Sequence, residues 1–213
     1  MMVPMWIVVA AAVIFACSAY LATSVASMIY AKDAPLEDGP RPGRVGLWQT
    51  LVMVVVAAAI GVVSVEHASD LRSLAVTDLA VFALCAVIWT DVTRGFIGDW
   101  FTLPTIAIVF VVGFSEQAFF PMLISFGLVT LPFAGAALIS KGMGMGWGDV
   151  KLVALGAALL NVQTSMLMFA IACMVACGIA FARHKRGEPI AFAPYLATAI
   201  AIGMIVPNGQ NLG

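Results

Sequence analysis

The sequence predicts an all-α, polytopic membrane bundle of about eight transmembrane helices, and three observations carry that expectation. Of the 213 residues, 63% are hydrophobic and 10% are charged. Charge-free runs cover residues 1–31, 45–65, 117–140, 152–182 and 189–213, and several reach the roughly 20 apolar residues that a bilayer-spanning helix needs. Basic residues cluster between those runs, where a membrane chain sets its orientation. The net charge of -1 adds little, because placement matters here and the sum does not.

Taken in order, the first helix covers about 5–30. It has no basic residues ahead of it and is long enough to stay as a span, so a cleaved signal peptide is not expected. The loop KDAPLEDGPRPGR (32–44) separates it from the second helix, 46–65. Glu66, His67, Asp70 and Arg72 then form a polar outer loop, with His67 read as solvated. The third helix, 74–90, ends in LCAVIWTD, and the fourth and fifth follow at 100–115 and 119–140. Residues 152–182 as one helix would measure ~46 Å and overshoot a core of about 30 Å. Asn161, Gln163, Thr164 and Ser165 offer a polar break, giving a sixth helix at 149–161 and a seventh at 164–182. The sixth is then only ~18 Å long, so it is tilted, extended by the glycine loop before it, or partly re-entrant. The eighth helix is expected at 190–206.

The basic residues fix the orientation. With the N-terminus outside and eight spans, Lys32, Arg41, Arg44, Arg94, Lys141, Lys151, Arg183, Lys185 and Arg186 share the cytoplasmic side, and Arg72 alone lies outside. A seven-span reading would send Arg183, Lys185 and Arg186 outward, a weaker bias under the positive-inside rule. The eight-span arrangement brings Asp91, at the end of the third helix, and Asp149, at the start of the sixth, to the same cytoplasmic face.

Acids near membrane depth are expensive and are usually found facing a bundle interior or a wet cavity. A plainer account exists for each: Asp91 as a solvated helix end, Asp149 as a first-turn acid on the helix dipole. The glycines favour the functional account. Gly142, Gly144, Gly146 and Gly148, at every second position, each cost close to 1 kcal/mol relative to alanine in a helix. Small-residue seams between membrane helices repeat at four, not two. Glycine permits positive φ and close backbone approach, so the run suits an extended peptide lying beside a carboxylate.

GWGD at 146–149, followed by VKLVALGA, resembles the second catalytic motif of the GxGD membrane aspartyl proteases, specifically the type IV prepilin peptidases and their preflagellin relatives. Asp91, followed six residues later by Ile97, Gly98 and Asp99, is similar to the first motif, in which an Ile-Pro-Asn run opens the next helix. EPIAFAPYLATA (188–199), which contains Pro194, is similar to the Pro-Phe-Gly-Pro segment that starts the family's last helix. The likeness covers about 74–206. It implies a six-helix protease core over 74–213, with residues 1–73 adding two N-terminal helices and their loop.

The departures are informative. Gly98 stands for the usual proline, so the start of the fourth helix is expected to be less rigid, and Asp99 for the usual asparagine, which adds a competing acid. Larger relatives carry paired CxxC motifs, linked to N-methylation of the processed pilin, in the loop after the first helix. That loop has no cysteine here, so methyltransferase activity is not expected and the chain looks most like the short peptidases of tight-adherence (Flp) pili. Cys17, Cys85, Cys173 and Cys177 read as small buried residues without metal partners.

The resemblance implies Asp91 and Asp149 as the catalytic pair, with Gly146, Gly148, Lys151, Ile97 and Pro194 as supporting or substrate-binding residues and no metal or cofactor. Two close carboxylates cannot both ionise, so they share a proton. One can then deprotonate water while the other protonates the scissile carbonyl oxygen. Lys151 is expected to snorkel to the interface, with substrate contact as the alternative. Asp78 lies ~20 Å from Asp91 along the same helix and is placed at the outer interface. The implied substrate is a pilin-like precursor, cut between a basic leader and an apolar helix at the cytoplasmic face of the bacterial inner membrane; no nucleic-acid partner is expected. Asp99, Glu37 and Asp38 lie where that leader would pass, although plain solvation accounts for them equally. An ion-coupled transporter using Asp78 and Asp149 and a catalytically silent scaffold are the competing classes. The first is weakened because those acids lie toward opposite ends of the bundle and no internal repeat is visible.

Overall fold

The computed structural model describes residues 4–30, 46–67, 70–115, 117–140, 145–182 and 192–206. Among them eight helices follow one another with no strand: α1 Met5–Ile29, α2 Leu47–His67, α3 Leu71–Arg94, α4 Asp99–Ser115, α5 Phe119–Ile139, α6 Trp147–Leu159, α7 Val162–Ala182 and α8 Ala193–Ile205. α1, α2, α3, α5 and α7 contain stretches long and apolar enough to cross a bilayer, and α4 and α8 are shorter apolar helices. The chain is a polytopic helical bundle.

The largest departure from the expected boundaries is α3, which extends past both ends of 74–90. At its start Asp70 Oδ1 accepts the Ser73 N–H at 2.8 Å, satisfying one of the orphan donors of the first turn. At its end the chain turns through Gly95 in the left-handed region (φ 78°), whose N–H is donated to the Asp91 carbonyl at 3.0 Å. A residue with a Cβ adopts that conformation only at a penalty, so glycine stops the helix here and not at Thr90.

Short connections at 95–98 and 160–161 make the helices they join antiparallel. The Asp99–Lys151 pair brings the starts of α4 and α6 together, Tyr30 on Gly98 brings the end of α1 to the same place, and Gly61 of α2 against Ala11 and Phe15 of α1 sets those two antiparallel, so α2, α4 and α6 start at the end where α1 and α3 finish. Trp48, Trp100 and Trp147, all exposed, stand at those three starts, the arrangement expected of an aromatic belt at one membrane interface. The break between the sixth and seventh helices falls where the polar residues suggested. α6 has 13 residues, ~20 Å of helix, so it ends inside the bundle. Its terminal backbone is satisfied there: the Leu160 carbonyl accepts the hydroxyls of Ser125 (2.9 Å) and Ser165 (3.4 Å), while Asn161 Oδ1 accepts the Thr164 N–H (2.8 Å) and opens α7. Irregular backbone at membrane depth is tolerated only when covered and bonded in this way. Every residue from Leu152 to Leu159 is buried.

Small residues set the spacing. Ala11, Ala19, Ala22 and Ala26 form, with Phe15, the buried face of α1, and a Cβ at Gly61 of α2 would lie 2.8 Å from Phe15 Cγ. A Cβ at Gly156 of α6 would lie 2.6 Å from Phe169 and 2.7 Å from Ile200, so α7 and α8 press on that helix at a point only glycine allows. α3 packs on α1, α2, α4 and α8; α6 packs on α4, α5, α7 and α8. α3 and α6 do not pack on each other. They stand apart, held by α4 and α8, which touch both.

The cysteine expectation needs correcting. Cys85 is buried, but Cys17 and Cys177 are exposed and Cys173 is half-buried, because α1 and α7 lie at the periphery of the bundle, where a thiol can face outward. Asp78 has a partner on another helix: its Oδ2 accepts the Ser18 hydroxyl of α1 at 2.8 Å, so its half-buried carboxylate ties α3 to α1.

Candidate active site

Asp91 sits in the last turn of α3 and is 7% exposed. Its carboxylate takes the backbone N–H of Ala193, the first residue of α8, while its Oδ2 is buried with no hydrogen-bond partner among the described residues. Buried polar atoms are nearly always paired, and exceptions concentrate where chemistry is done. Pro194 follows Ala193 in the first turn of α8, a position that suits proline because the first-turn N–H groups have no partner within the helix.

Asp149 is the third residue of α6. Its Oδ2 accepts the Gly146 N–H at 3.3 Å, and the Gly146 carbonyl accepts the N–H groups of Asp149 (3.1 Å) and Val150 (3.3 Å). This is the reaching-back half of a capping box, so the plain account of Asp149 as a first-turn acid describes part of what it does. The same carboxylate lies close enough to Asp91 for their charges to interact. Two acids from helices that do not touch therefore face one another across the space between α3 and α6.

The supporting residues divide. Ile97 and Gly148 meet: a Cβ at Gly148 would lie 2.9 Å from Ile97 Cβ and 3.2 Å from its Cγ1 and Cδ1. The turn after Asp91 is thereby seated on the residue before Asp149. Gly146 is different, because its backbone is extended (φ -74°, ψ 150°) and open to any residue, and a Cβ there would meet only Asp149 Oδ2 at 3.5 Å. Of the two freedoms that glycine permits, positive φ is not used at Gly146 or Gly148, and close approach is used at Gly148. Gly142 and Gly144 lie outside the described residues, as do the 32–44 loop with Glu37 and Asp38, Lys141, and Arg183 to Arg186.

Lys151 has a partner that the sequence reading did not name: its Nζ lies 2.6 Å from Asp99 Oδ1. The first turns of α4 and α6 are joined by this ion pair because Asp99 and Lys151 both face the junction of those two helices. With side chains 32% and 54% exposed, the pair is screened and contributes about 1 kcal/mol or less. Asp99→Asn should therefore keep most activity and lose under ~1 kcal/mol of stability in a thermal melt in detergent. A loss on the scale expected for a catalytic acid would place Asp99 in the chemistry instead.

Three residues that organise the site escaped the sequence reading. Gly95 carries the left-handed turn after Asp91, and its signal was legible as the first glycine beyond an amphipathic stretch. Ala193 contributes only a backbone N–H, which no side-chain pattern reveals. Tyr30, just past the end of α1, stacks on Phe96 (5.0 Å, T-shaped) and Phe101 (6.2 Å) and fills the space in front of Gly98, where a Cβ would meet its phenol oxygen and lie 2.8–2.9 Å from ring carbons. That occupancy accounts for glycine at 98. Among the described residues no three His, Cys, Asp or Glu side chains converge as a metal cluster.

Residues 79–183 match the model of a family described as the type IV leader peptidase family. The matched span contains both aspartates and Ile97, Gly148 and Lys151, and leaves out α1, α2 and α8. No curated protein and no solved structure matches the chain.

Proposed function

We propose, on the premise that the chain belongs to the type IV leader peptidase family through residues 79–183, that it is a multi-pass aspartic endopeptidase. In this reading it removes the basic leader from pilin-like precursors at the cytoplasmic face of the bacterial inner membrane, as a peptidase-only GxGD enzyme of the kind that serves Flp pili. The observation that carries the reading is the pair of carboxylates, Asp91 and Asp149, brought from non-touching helices to one end of the bundle. Residues 74–213 form the protease core and 1–73 an added helix pair.

The mechanism follows from the pair. One carboxylate takes a proton from water as its oxygen bonds to the scissile carbonyl carbon, and the other gives its proton to the carbonyl oxygen. When the tetrahedral intermediate collapses the C–N bond breaks, the amine leaves with a proton, and the pair returns to its singly protonated state. The space between α3 and α6 is where an extended peptide reaches both acids. Lys151 and Asp99 hold the starts of α6 and α4, Ile97 and Gly148 fix the spacing, and Pro194 presents the Ala193 N–H to Asp91.

Purified chain in liposomes, mixed with a precursor whose basic leader precedes an apolar helix, should release the leader and expose one new N-terminus by mass spectrometry. With S-adenosylmethionine present, that N-terminus should gain no methyl mass. An intact precursor would defeat the peptidase reading, and a methylated product would defeat the peptidase-only one. Cysteines introduced at 32–44, 94, 141 and 185 should be labelled from the cytoplasm and one at 70 from outside; outward labelling at 185 would overturn the eight-span topology.

A further inference from the structure

We propose that the apolar hollow between α2, α3 and α8 receives the apolar helix of the substrate, the segment that follows the scissile bond; this rests on the peptidase reading above. The hollow has a volume of about 400 Å³, within the range of ligand-sized sites. With walls that offer no free polar group, the hollow suits an apolar occupant. Its walls are apolar: Val56, Ile60 and Val63 from α2, Leu84 and Ile88 from α3, Ile202 from α8. Thr198, the one hydroxyl among the lining residues, is occupied, its Oγ donating to the Pro194 carbonyl at 2.7 Å.

Position selects the occupant. Ile88 lies one turn before Asp91 on α3, and Ala197 lies one turn after Ala193, whose N–H is donated to Asp91. The hollow therefore starts about one turn from Asp91, along α3 and α8, and runs away from it toward Val63, Val81 and Ile205. Val52 and Val56 on one lip and Ile202 on the other are exposed, so it opens sideways to the bilayer. A peptide held at the two acids, with an apolar helix continuing from it, meets this hollow one turn below the cut, and a helix can seat one face there through anchors at i, i+3 or i+4, and i+7. α2 provides much of the wall, which gives the N-terminal helix pair a part in substrate binding although it lies outside the residues that match the family.

The test uses the full chain in liposomes with two substrates: the precursor with its apolar helix, and a soluble peptide that ends before that helix. Ala59→Phe and Ala201→Phe narrow the hollow from α2 and α8 without touching the acid pair. Each should raise KM for the precursor about tenfold while kcat for the precursor and KM for the soluble peptide stay unchanged. A photo-crosslinking side chain at Val56 or Ile202, in a chain carrying Asp149→Asn so that the precursor stays whole, should capture the precursor through its apolar helix; one at Leu131, exposed on α5, should not. An unchanged precursor KM, equal impairment on the soluble peptide, or capture only of lipid or of a second copy of the chain would each overturn the proposal while leaving the peptidase reading intact. Failure of the unvaried chain to cut either substrate would instead remove the peptidase reading, and the proposal with it.

Discussion

Asp91→Asn and Asp149→Asn should each lower precursor cleavage by about 10³-fold or more, while the protein stays inserted and folded. The structure gives the reason that folding survives. Asparagine keeps a carbonyl oxygen at each position, so residue 91 can still accept the Ala193 N–H and residue 149 the Gly146 N–H. What asparagine lacks is the ability to take up and give back a proton in the step that breaks the peptide bond. If the acids act as one proton-sharing unit, the double variant should be barely slower than either single, because losing one member already removes the shared proton. Asp78→Asn keeps an acceptor for Ser18 and should retain most activity, as should Asp99→Asn. Substantial turnover by either catalytic variant, measured by release of the leader, would reduce Asp149 to a helix cap and Asp91 to an acceptor for α8, and would end the protease reading.

The membrane class and the eight helices were legible because apolar runs and polar breaks are one-dimensional signals. Asn161 to Ser165 marked the end of α6 within two residues, since a polar group at that depth must bond to backbone and it does. Both acids stood out for the same reason, as charges that apolar surroundings do not explain. Spacing along the chain cannot show pairing between helices. Lys151 and Asp99 are separated by 52 residues, and nothing in either neighbourhood names the other, so each was read alone and their pairing was missed. Tyr30 against Gly98 is similar: the glycine was noticed as a departure, but the ring that occupies the space beside it comes from the cap of α1, 68 residues earlier. Ala193 acts through its backbone, which the sequence does not distinguish from any other residue.

Gly148→Ala should cut kcat by about 10²-fold although alanine is the better helix former, by close to 1 kcal/mol. The added methyl lies 2.9 Å from Ile97 Cβ, an atom next to backbone that no rotamer change can move. Either the turn at 95–98 or the start of α6 must therefore shift, and each has one of the two proposed catalytic acids within a few residues. Misplacement by about 1 Å is enough to lose about 10²-fold in a reaction that depends on two groups meeting one bond. Gly146→Ala is the matched control within the same motif. Its Cβ meets only Asp149 Oδ2, at 3.5 Å, an ordinary contact, so activity should fall little. Moving the missing side chain to the other partner, by combining Gly148→Ala with Ile97→Gly, should restore a large part of the lost kcat, even though Ile97→Gly alone weakens the turn by removing its packing and freeing its backbone. A double variant no faster than Gly148→Ala, or a Gly148→Ala enzyme with normal kcat, would show that the contact between the two motifs does not set the distance between Asp91 and Asp149.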